Sequence, residues 1–136
     1  MSERLRSLAA KKGLIADREE GFSLIELLVV VLIIGILSAI AIPIFLGQQD
    51  SAKDAAAKSD LGNAKIALIS YATDNAGTYT TTLSSIAKYG YTASSGVTGT
   101  AIKSASSTGF CIEATSAAGN TFHIDQTSGV ATGACP

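Results

Sequence analysis

The chain has 136 residues with a formal net charge of −1, and 47% of its residues are hydrophobic. This length predicts one small domain plus an anchor. The near-neutral charge and the lack of a basic patch argue against electrostatic nucleic-acid binding. The sequence has no phosphate-binding loop, dinucleotide fingerprint or Ser-His-acid arrangement, so it does not indicate an enzyme.

Residues 1–21 form a charged leader with five basic and four acidic side chains. They are Arg4, Arg6, Lys11, Lys12 and Arg18 against Glu3, Asp17, Glu19 and Glu20. Three lysines, Lys53, Lys58 and Lys65, follow the apolar segment that comes next. Lys and Arg concentrate on the cytoplasmic side of a membrane span, so this distribution favours a cytoplasmic N-terminus.

The segment from Phe22 to Leu46 is almost entirely apolar, with Glu26 as the one formal charge in its 25 residues. A helix of that length would be about 37 Å long, which is enough to cross a hydrocarbon core of about 30 Å. Its apolar residues would lie all round the helix and leave no polar face for water. The segment is therefore predicted to span a membrane.

Glu26 is unusual in this setting, because a carboxylate within a membrane helix costs a few kcal/mol and usually has a partner. The nearest preceding cation is Arg18, beyond Gly21. One interpretation places Glu26 in the headgroup region in contact with water. In the other, cleavage between Gly21 and Phe22 creates an α-amine four residues before Glu26, on its own chain or on a neighbouring one.

An ordinary secretory signal is an alternative interpretation of the same region. Ala39-Ile40-Ala41 has the form of a signal-peptidase cleavage site after a charged and an apolar region. Against this alternative, the apolar segment continues past Ala41 to Leu46 and contains Glu26.

Residues 21–27 read Gly-Phe-Ser-Leu-Ile-Glu-Leu. They resemble the cleavage and methylation signature of type IV prepilins and of the related type II secretion pseudopilins. The resemblance is specific over Gly21–Gln49, looser to about Tyr79 and architectural beyond. The charged leader and the small head are most similar to the type IV pilins of Gram-positive actinobacteria.

This resemblance implies cleavage by a prepilin peptidase after Gly21 and N-methylation of Phe22. The precursor would be a single-pass protein in the lipid of the cytoplasmic membrane. The mature chain would then polymerise with copies of itself, through a pilus assembly platform, into a surface filament. Glu26 would assist assembly by pairing with the amine of Phe22 on an adjacent subunit.

Pro43 and Gly47 mark a weak point near the end of the apolar segment. Pro43 lacks an N–H and its ring crowds the carbonyl of Ala39, so the helix should kink or loosen there. Gly47 weakens the same turn by about 1 kcal/mol relative to Ala. The family resemblance implies that Ile42–Gly47 partly melts in the filament.

Residues 47–75 are predicted to continue the helix in amphipathic form. One face carries apolar residues at spacings of four and three: Ala57, Leu61, Ala64, Leu68 and Tyr71. The acidic and basic residues on the other side are expected to be solvated, with Asp54 and Lys58 as an (i, i+4) pair. Asp74-Asn75-Ala76-Gly77 should end the helix.

Residues 76–136 should form a β-rich head, which gives an α+β fold with the long N-terminal helix packed on a small antiparallel sheet. Phe110–Thr115 is the clearest strand, because it alternates Phe110, Ile112 and Ala114. A Gly119-Asn120 turn would join it to a second strand. The other predicted segments are strands at Tyr79–Leu83, Ile86–Thr92, Thr121–Asp125 and Val130–Ala131, with a loop around Ala93–Gly99.

Cys111 and Cys135 lie in the part expected outside the cytoplasm, where a disulfide can persist. Such a bridge would stabilise the small head by roughly 3–4 kcal/mol. Because Cys111 alternates with Phe110 and Ile112, the bridge should tie the C-terminal tail across the face opposite the core. A free or redox-active thiol pair is the alternative, although the 23 intervening residues do not resemble a CxxC motif.

His123 is the single histidine, with Glu113 and Asp125 placed for the same sheet face. One histidine and two cysteines better used in a disulfide do not make a zinc site, so no metal or other cofactor is predicted. His123 is expected to be an ordinary exposed strand residue.

Three functional classes fit the sequence. The favoured one is a major subunit of a type IV pilus. The second is a pseudopilin of a type II secretion or DNA-uptake system, and the third is a single-pass, membrane-tethered binding module that does not polymerise.

Overall fold

The computed structural model describes residues 21–136. The predicted leader therefore lies outside the described residues, apart from Gly21. The described elements are helices α1 (Leu24–Asp74) and α2 (Leu83–Ile86), a 3₁₀ turn (Ala87–Tyr89), and strands β1 (Thr98–Ala105), β2 (Phe110–Thr115), β3 (Thr121–Asp125) and β4 (Ala131–Thr132). The chain divides into two compact units between Pro43 and Ile44.

The first part of α1 carries large apolar side chains that the protein itself leaves exposed. Ile25 is 68% exposed and Ile40 is 60% exposed, and the residues between them are similar. By length and composition, α1 is the one helix of the described chain that could cross a membrane. This exposure on all sides agrees with the all-round apolar pattern of the sequence.

The second part of α1 supplies the helical side of the head core. Ala57, Leu61, Ala64 and Leu68 are fully buried, as their spacing predicts, because residues three and four apart share one helix face. Tyr71 is half-buried and meets the ring of Tyr89 edge-on, with the ring centroids 5.8 Å apart.

Helix α1 ends where its sequence predicts. Ala76 and Gly77 adopt positive φ angles of 55° and 80°, which turns the backbone out of the helix. The Gly77 N–H donates to the Ala72 carbonyl at 2.8 Å, the six-to-one bond of a Schellman motif. The Asn75 side-chain amide donates to the Tyr71 carbonyl at 2.8 Å, so a second helix-end carbonyl is satisfied.

The sheet is a four-stranded antiparallel meander in the order β1-β2-β3-β4. Strands β2 and β3 have the predicted bounds. Their inward residues pack with the buried face of α1, which confirms the predicted α+β architecture. These residues are Phe110, Ile112, Ala114, Phe122 and Ile124.

The β2–β3 connection is longer than the predicted two-residue loop. It runs from Ser116 to Asn120, and the Ser116 N–H donates to the Asn120 carbonyl at 2.8 Å.

Two strand predictions between α1 and the sheet are wrong. Tyr79–Leu83 is not a strand, and Ile86–Thr92 is replaced by the end of α2 and the 3₁₀ turn. Leu83 and Ile86 stand three residues apart, so one helical turn directs both toward the core, where Ile86 is fully buried. This packing outweighs the weak β propensity of the surrounding Thr and Tyr residues.

Strand β1 was not anticipated, and the loop predicted around Ala93–Gly99 gives way to it at Thr98. Its eight residues are mostly small or polar, and one of them, Ile102, is buried. The register shifts between Thr98 and Ala101 and again between Ile102 and Ser104. These irregularities break the alternation by which a strand is recognised in sequence.

Two acidic residues of α1 bind the head instead of forming a solvated face. Asp60 is only 1% exposed, and its carboxylate accepts hydrogen bonds from the backbone N–H and the hydroxyl of Ser94, both at 2.7 Å. Asp54 accepts from Ser116 Oγ at 2.6 Å and from Asn120 Nδ2 at 2.9 Å. The expectation of a solvated side is therefore wrong for both residues.

The expected pairing of Asp54 with Lys58 is replaced by other contacts. The Lys58 ammonium lies 4.9 Å from the centroid of the Phe122 ring, a cation–π contact at the edge of the core. Lys58 still acts electrostatically on Asp54, as a minor contribution that lowers its pKa. The ion pair of this region joins Lys53 Nζ to Asp50 Oδ1 at 3.0 Å.

The hydrogen bond from Ser116 is the main reason that the pKa of Asp54 lies below its ordinary value of 3.8, while desolvation opposes it to a smaller extent. A carboxyl with a depressed folded-state pKa stabilises the fold above its unfolded pKa. That contribution is lost as pH falls through the folded pKa, here below 3.8.

We expect Ser116→Ala to destabilise the head at neutral pH, and this destabilisation should shrink as pH falls below the ordinary Asp value. Urea unfolding of the full chain in detergent, at pH of about 7 and about 3, measures the difference. Ser104→Ala is the matched control, because Ser104 is exposed on β1. A loss of stability for Ser116→Ala that is independent of pH would contradict this role of Asp54.

Candidate functional site

The N-terminus of α1 is closed by two reciprocal hydrogen bonds. Leu24 is the first helical residue, so Ser23 occupies the N-cap and Glu26 the third helical position. The Glu26 N–H donates to Ser23 Oγ at 3.3 Å, and the Ser23 N–H donates to Glu26 Oε2 at 3.1 Å. This arrangement is a capping box, which satisfies backbone N–H groups that have no partner within a helix.

From the sequence, only water or an α-amine is predicted as the partner of the Glu26 carboxylate. Its role in capping the helix was not predicted. The signal was available, because Ser followed three residues later by Glu before an apolar segment is a capping-box pattern. The carboxylate also lies at the positive end of the helix dipole, where negative charge is favoured. Glu26 thus has a partner within its own chain before any neighbour is considered.

Gly21 and Phe22, the two residues of the expected cleavage site, precede the helix in non-helical conformation. Phe22 is 90% exposed, and a Cβ built on Gly21 would have no atom within 4 Å. Together with Ser23 and Glu26 they line an open depression at the end of the helix. The structure therefore brings the residues of the predicted cleavage and assembly sites together.

Pro43 and Gly47, the predicted weak point, both lie within the uninterrupted span of α1. The division between the two compact units falls directly after Pro43. The Ser51 hydroxyl donates to the Gly47 carbonyl at 3.1 Å, one of the interactions by which Ser can bend a helix. Melting of Ile42–Gly47 on assembly stays a prediction.

The predicted disulfide between Cys111 and Cys135 is present, with the two Cα atoms 6.1 Å apart. Cys111 lies on the sheet face opposite the core, and it is nevertheless only 6% exposed because the C-terminal tail covers it. The Cys135 N–H donates to Glu113 Oε2 at 3.1 Å, and the Gly133 N–H donates to the Thr121 carbonyl at 2.8 Å. The bridge thus ties the tail across the outer face, as the alternation of β2 predicts.

His123 is half-buried under this tail, so its description as an ordinary exposed histidine is wrong. Its Nδ1 lies 2.9 Å from the Gly133 carbonyl, which can only accept, so Nδ1 carries the hydrogen. Glu113 pairs with His123 across the strands and forms an ion pair with Lys103 at 3.6 Å. Within residues 21–136, no group of three or more His, Cys, Asp or Glu residues could hold a metal ion.

Asp125, beside Cys111 in the register, also serves the fold. The backbone N–H of Ser128 is the main cause that lowers the pKa of Asp125, and Thr127 adds backbone and hydroxyl donors. Lys65 Nζ donates to the Ser128 carbonyl at 3.0 Å, which fixes the same loop to α1. The acidic residues of the outer face are thus engaged in structural contacts.

Comparison with known proteins finds a match to the family described as a prokaryotic N-terminal methylation motif, over residues 17–42. The chain is 43% identical to the type II secretion system core protein G of Pseudomonas aeruginosa over 58 residues, which are 43% of this chain and 41% of that protein. The protein of the same name from Escherichia coli is 37% identical over 59 residues, with the same coverage.

The chain is also similar to the type IV major pilin protein PilA of Myxococcus xanthus, with 57% identity over 44 residues, which are 32% of this chain and 20% of that protein. The chain thus spans about two fifths of the secretion proteins and one fifth of the pilin. The matches support the superfamily of pilins and pseudopilins that the motif at Gly21–Leu27 resembles. Pilus and secretion proteins both occur among them.

We expect Cys135→Ser to lower the free energy of unfolding by about 2–5 kcal/mol, because it removes the cross-link and frees the tail. Urea unfolding of the full chain in detergent measures this loss, and alkylation of the wild type before and after reduction should differ by two thiols. A double Cys111→Ser/Cys135→Ser variant controls for an effect of the liberated Cys111 thiol. Equal stability of wild type and double variant would contradict the stabilising role.

Proposed function

We propose that this chain is a structural subunit of a type IV pilus. The precursor is anchored in the cytoplasmic membrane by the first part of α1, with its N-terminus inside. A prepilin peptidase cuts after Gly21 and methylates Phe22. The mature chain then polymerises on a pilus assembly platform into a surface filament. This role is structural and non-enzymatic, in keeping with the names of the similar proteins.

The observation that carries the proposal is the long exposed apolar surface of α1, which begins within the methylation-motif match. Soluble proteins rarely leave a continuous apolar surface of this extent in water. Lipid covers it before assembly, and the helices of other copies cover it in the filament. A plain membrane tether needs only the first of these coverings and has no use for a specific residue at the mature N-terminus.

In this function, four segments of the chain have separate tasks. Residues 1–21 are the leader that is removed, and residues 22–46 are the membrane span and later the filament core. Residues 47–75 carry the head on an amphipathic helix, and residues 76–136 form the head with its disulfide-bonded C-terminal loop. The helix partly melts on assembly at Pro43 and Gly47, near the boundary of the second and third segments.

A pseudopilin of a type II secretion or DNA-uptake system is the second candidate. It is favoured by the longer match, 58 residues against 44, to a secretion protein. The two functions differ in filament length at native expression level. Immunogold electron microscopy of cells separates them, since long surface filaments support the pilus and short fibres confined to the envelope support the pseudopilin.

Gly21→Leu should leave the precursor uncut, because a large side chain replaces the small residue beside the bond to be cleaved. The wild type should yield a mature chain that begins at Phe22 and is one methyl group heavier than its sequence mass. Intact-mass spectrometry and N-terminal sequencing measure both. Gly35→Leu is the matched control, since Gly35 lies within the apolar segment with open space around it and should be processed normally. A mature chain beginning at Ile42 would instead support the secretory signal.

Glu26→Leu should insert and be cleaved but assemble poorly, because the charge that pairs with the Phe22 amine of a neighbour is lost. Glu26→Gln keeps the shape and should show the same defect. The measurement compares sheared surface filaments with the mature subunit held in the membrane for each variant. Wild-type filament yield from Glu26→Leu with normal processing would refute the pairing.

A further inference from the structure

The two carboxylate oxygens of Glu26 are in different situations. Oε2 accepts the Ser23 N–H at 3.1 Å, while Oε1 accepts no hydrogen bond within the part of the chain that the structure describes. We propose that Ser23 is a positioning residue for assembly: it holds the Glu26 side chain toward the end of the helix and leaves Oε1 to receive the Phe22 amine of a neighbouring copy. This inference rests on the proposed function.

The geometry supports a shared use of the carboxylate. A glutamate side chain has several rotatable bonds, and without the capping box it would sample many directions around the helix. The bond from the Ser23 N–H to Oε2 holds it on the N-terminal side of the first turn, and the bond from the Glu26 N–H to Ser23 Oγ fixes the N-cap backbone that presents this N–H. A carboxylate has about four acceptor positions, so one capping bond leaves capacity for an ammonium.

Cleavage acts on the same small region. Gly21, Phe22, Ser23 and Glu26 line one open depression, and removal of the leader takes Gly21 away and turns Phe22 into the new terminus. The chain's own amine then lies directly before the N-cap residue. The carboxylate that the capping box has placed at this end is therefore beside the newly formed terminus of its own chain and accessible to that of another.

A merely structural cap would act differently from a positioning residue. Gln, like Glu, can fill the third position of a capping box, so Glu26→Gln keeps the helix cap and removes only the charge. If Ser23 matters because it aims the charge, its replacement should have little further effect once the charge is gone. If it matters only for the helix end, its replacement should be equally harmful with Glu or Gln at position 26.

The experiment co-expresses each full-length variant with the wild type and measures its share in sheared filaments by mass spectrometry, relative to its share of the mature subunit in the membrane. Incorporation into wild-type filaments stays measurable for variants that cannot assemble alone. We expect Ser23→Ala to lower incorporation roughly fivefold, because the hydroxyl no longer fixes the N-cap backbone whose N–H holds Oε2, and Ser23→Thr to retain it. Ser38→Ala, within the same apolar helix, is the matched control and should be neutral.

The double variant Ser23→Ala/Glu26→Gln decides between the two roles. We expect it to incorporate as poorly as Glu26→Gln alone. A full further decrease, equal to the effect of Ser23→Ala on the wild type, would overturn the positioning role, as would wild-type incorporation of Ser23→Ala. Absence of filaments from the wild type would instead overturn the proposed function, so the two failures are distinguishable.

Discussion

The apolar surface of α1 is the constraint on which the rest of the molecule depends. From Leu24 to Leu46 its large side chains are about half exposed or more, and the described residues of the chain do not cover them. Burial of apolar surface is worth about 25 cal/mol per Å², so a surface of this size in water would drive association. The segment therefore needs a covering from outside the chain, which lipid can give and which other copies of the same helix can replace.

The head, in contrast, has little apolar material and uses polar contacts to fix its parts. Three residues of its helical core face are alanines, and its sheet contributes a short row of larger side chains. Asp60 and Asp54 each receive donors from distant loops, and the disulfide closes the outer face. A buried carboxylate such as that of Asp60 is costly unless its acceptor positions are filled, and here Ser94 fills them, while Ser116 donates to the half-buried Asp54.

Periodicity predicted the parts of the fold that bury one regular face. The stripe from Ala57 to Leu68 and the strands β2 and β3 were recognised because their side chains alternate with the period of their element. Strand β1 was missed because its register shifts twice and only Ile102 is buried. The prediction that Asp60 is solvated was wrong because no local pattern shows that Ser94, 34 residues away, donates hydrogen bonds to its carboxylate. The motif at Gly21–Leu27 located the candidate site, and its capping bonds follow from a second pattern in the same residues, Ser23 three positions before Glu26.

The capping box also changes the problem that Glu26 poses. A carboxylate without a partner in an apolar setting should be neutralised or excluded, and from the sequence alone this cost is what demands an amine. In the structure, the Ser23 N–H and the helix dipole already stabilise the charge within one chain. Under the proposed function, Glu26 would therefore be stable in the membrane without its assembly partner, and the contact with a neighbour would only add to an interaction that exists. A subunit that is stored in a membrane and assembled later, as proposed, would need both a stable resting state and an acceptor oxygen without a partner among residues 21–136 on the same side chain.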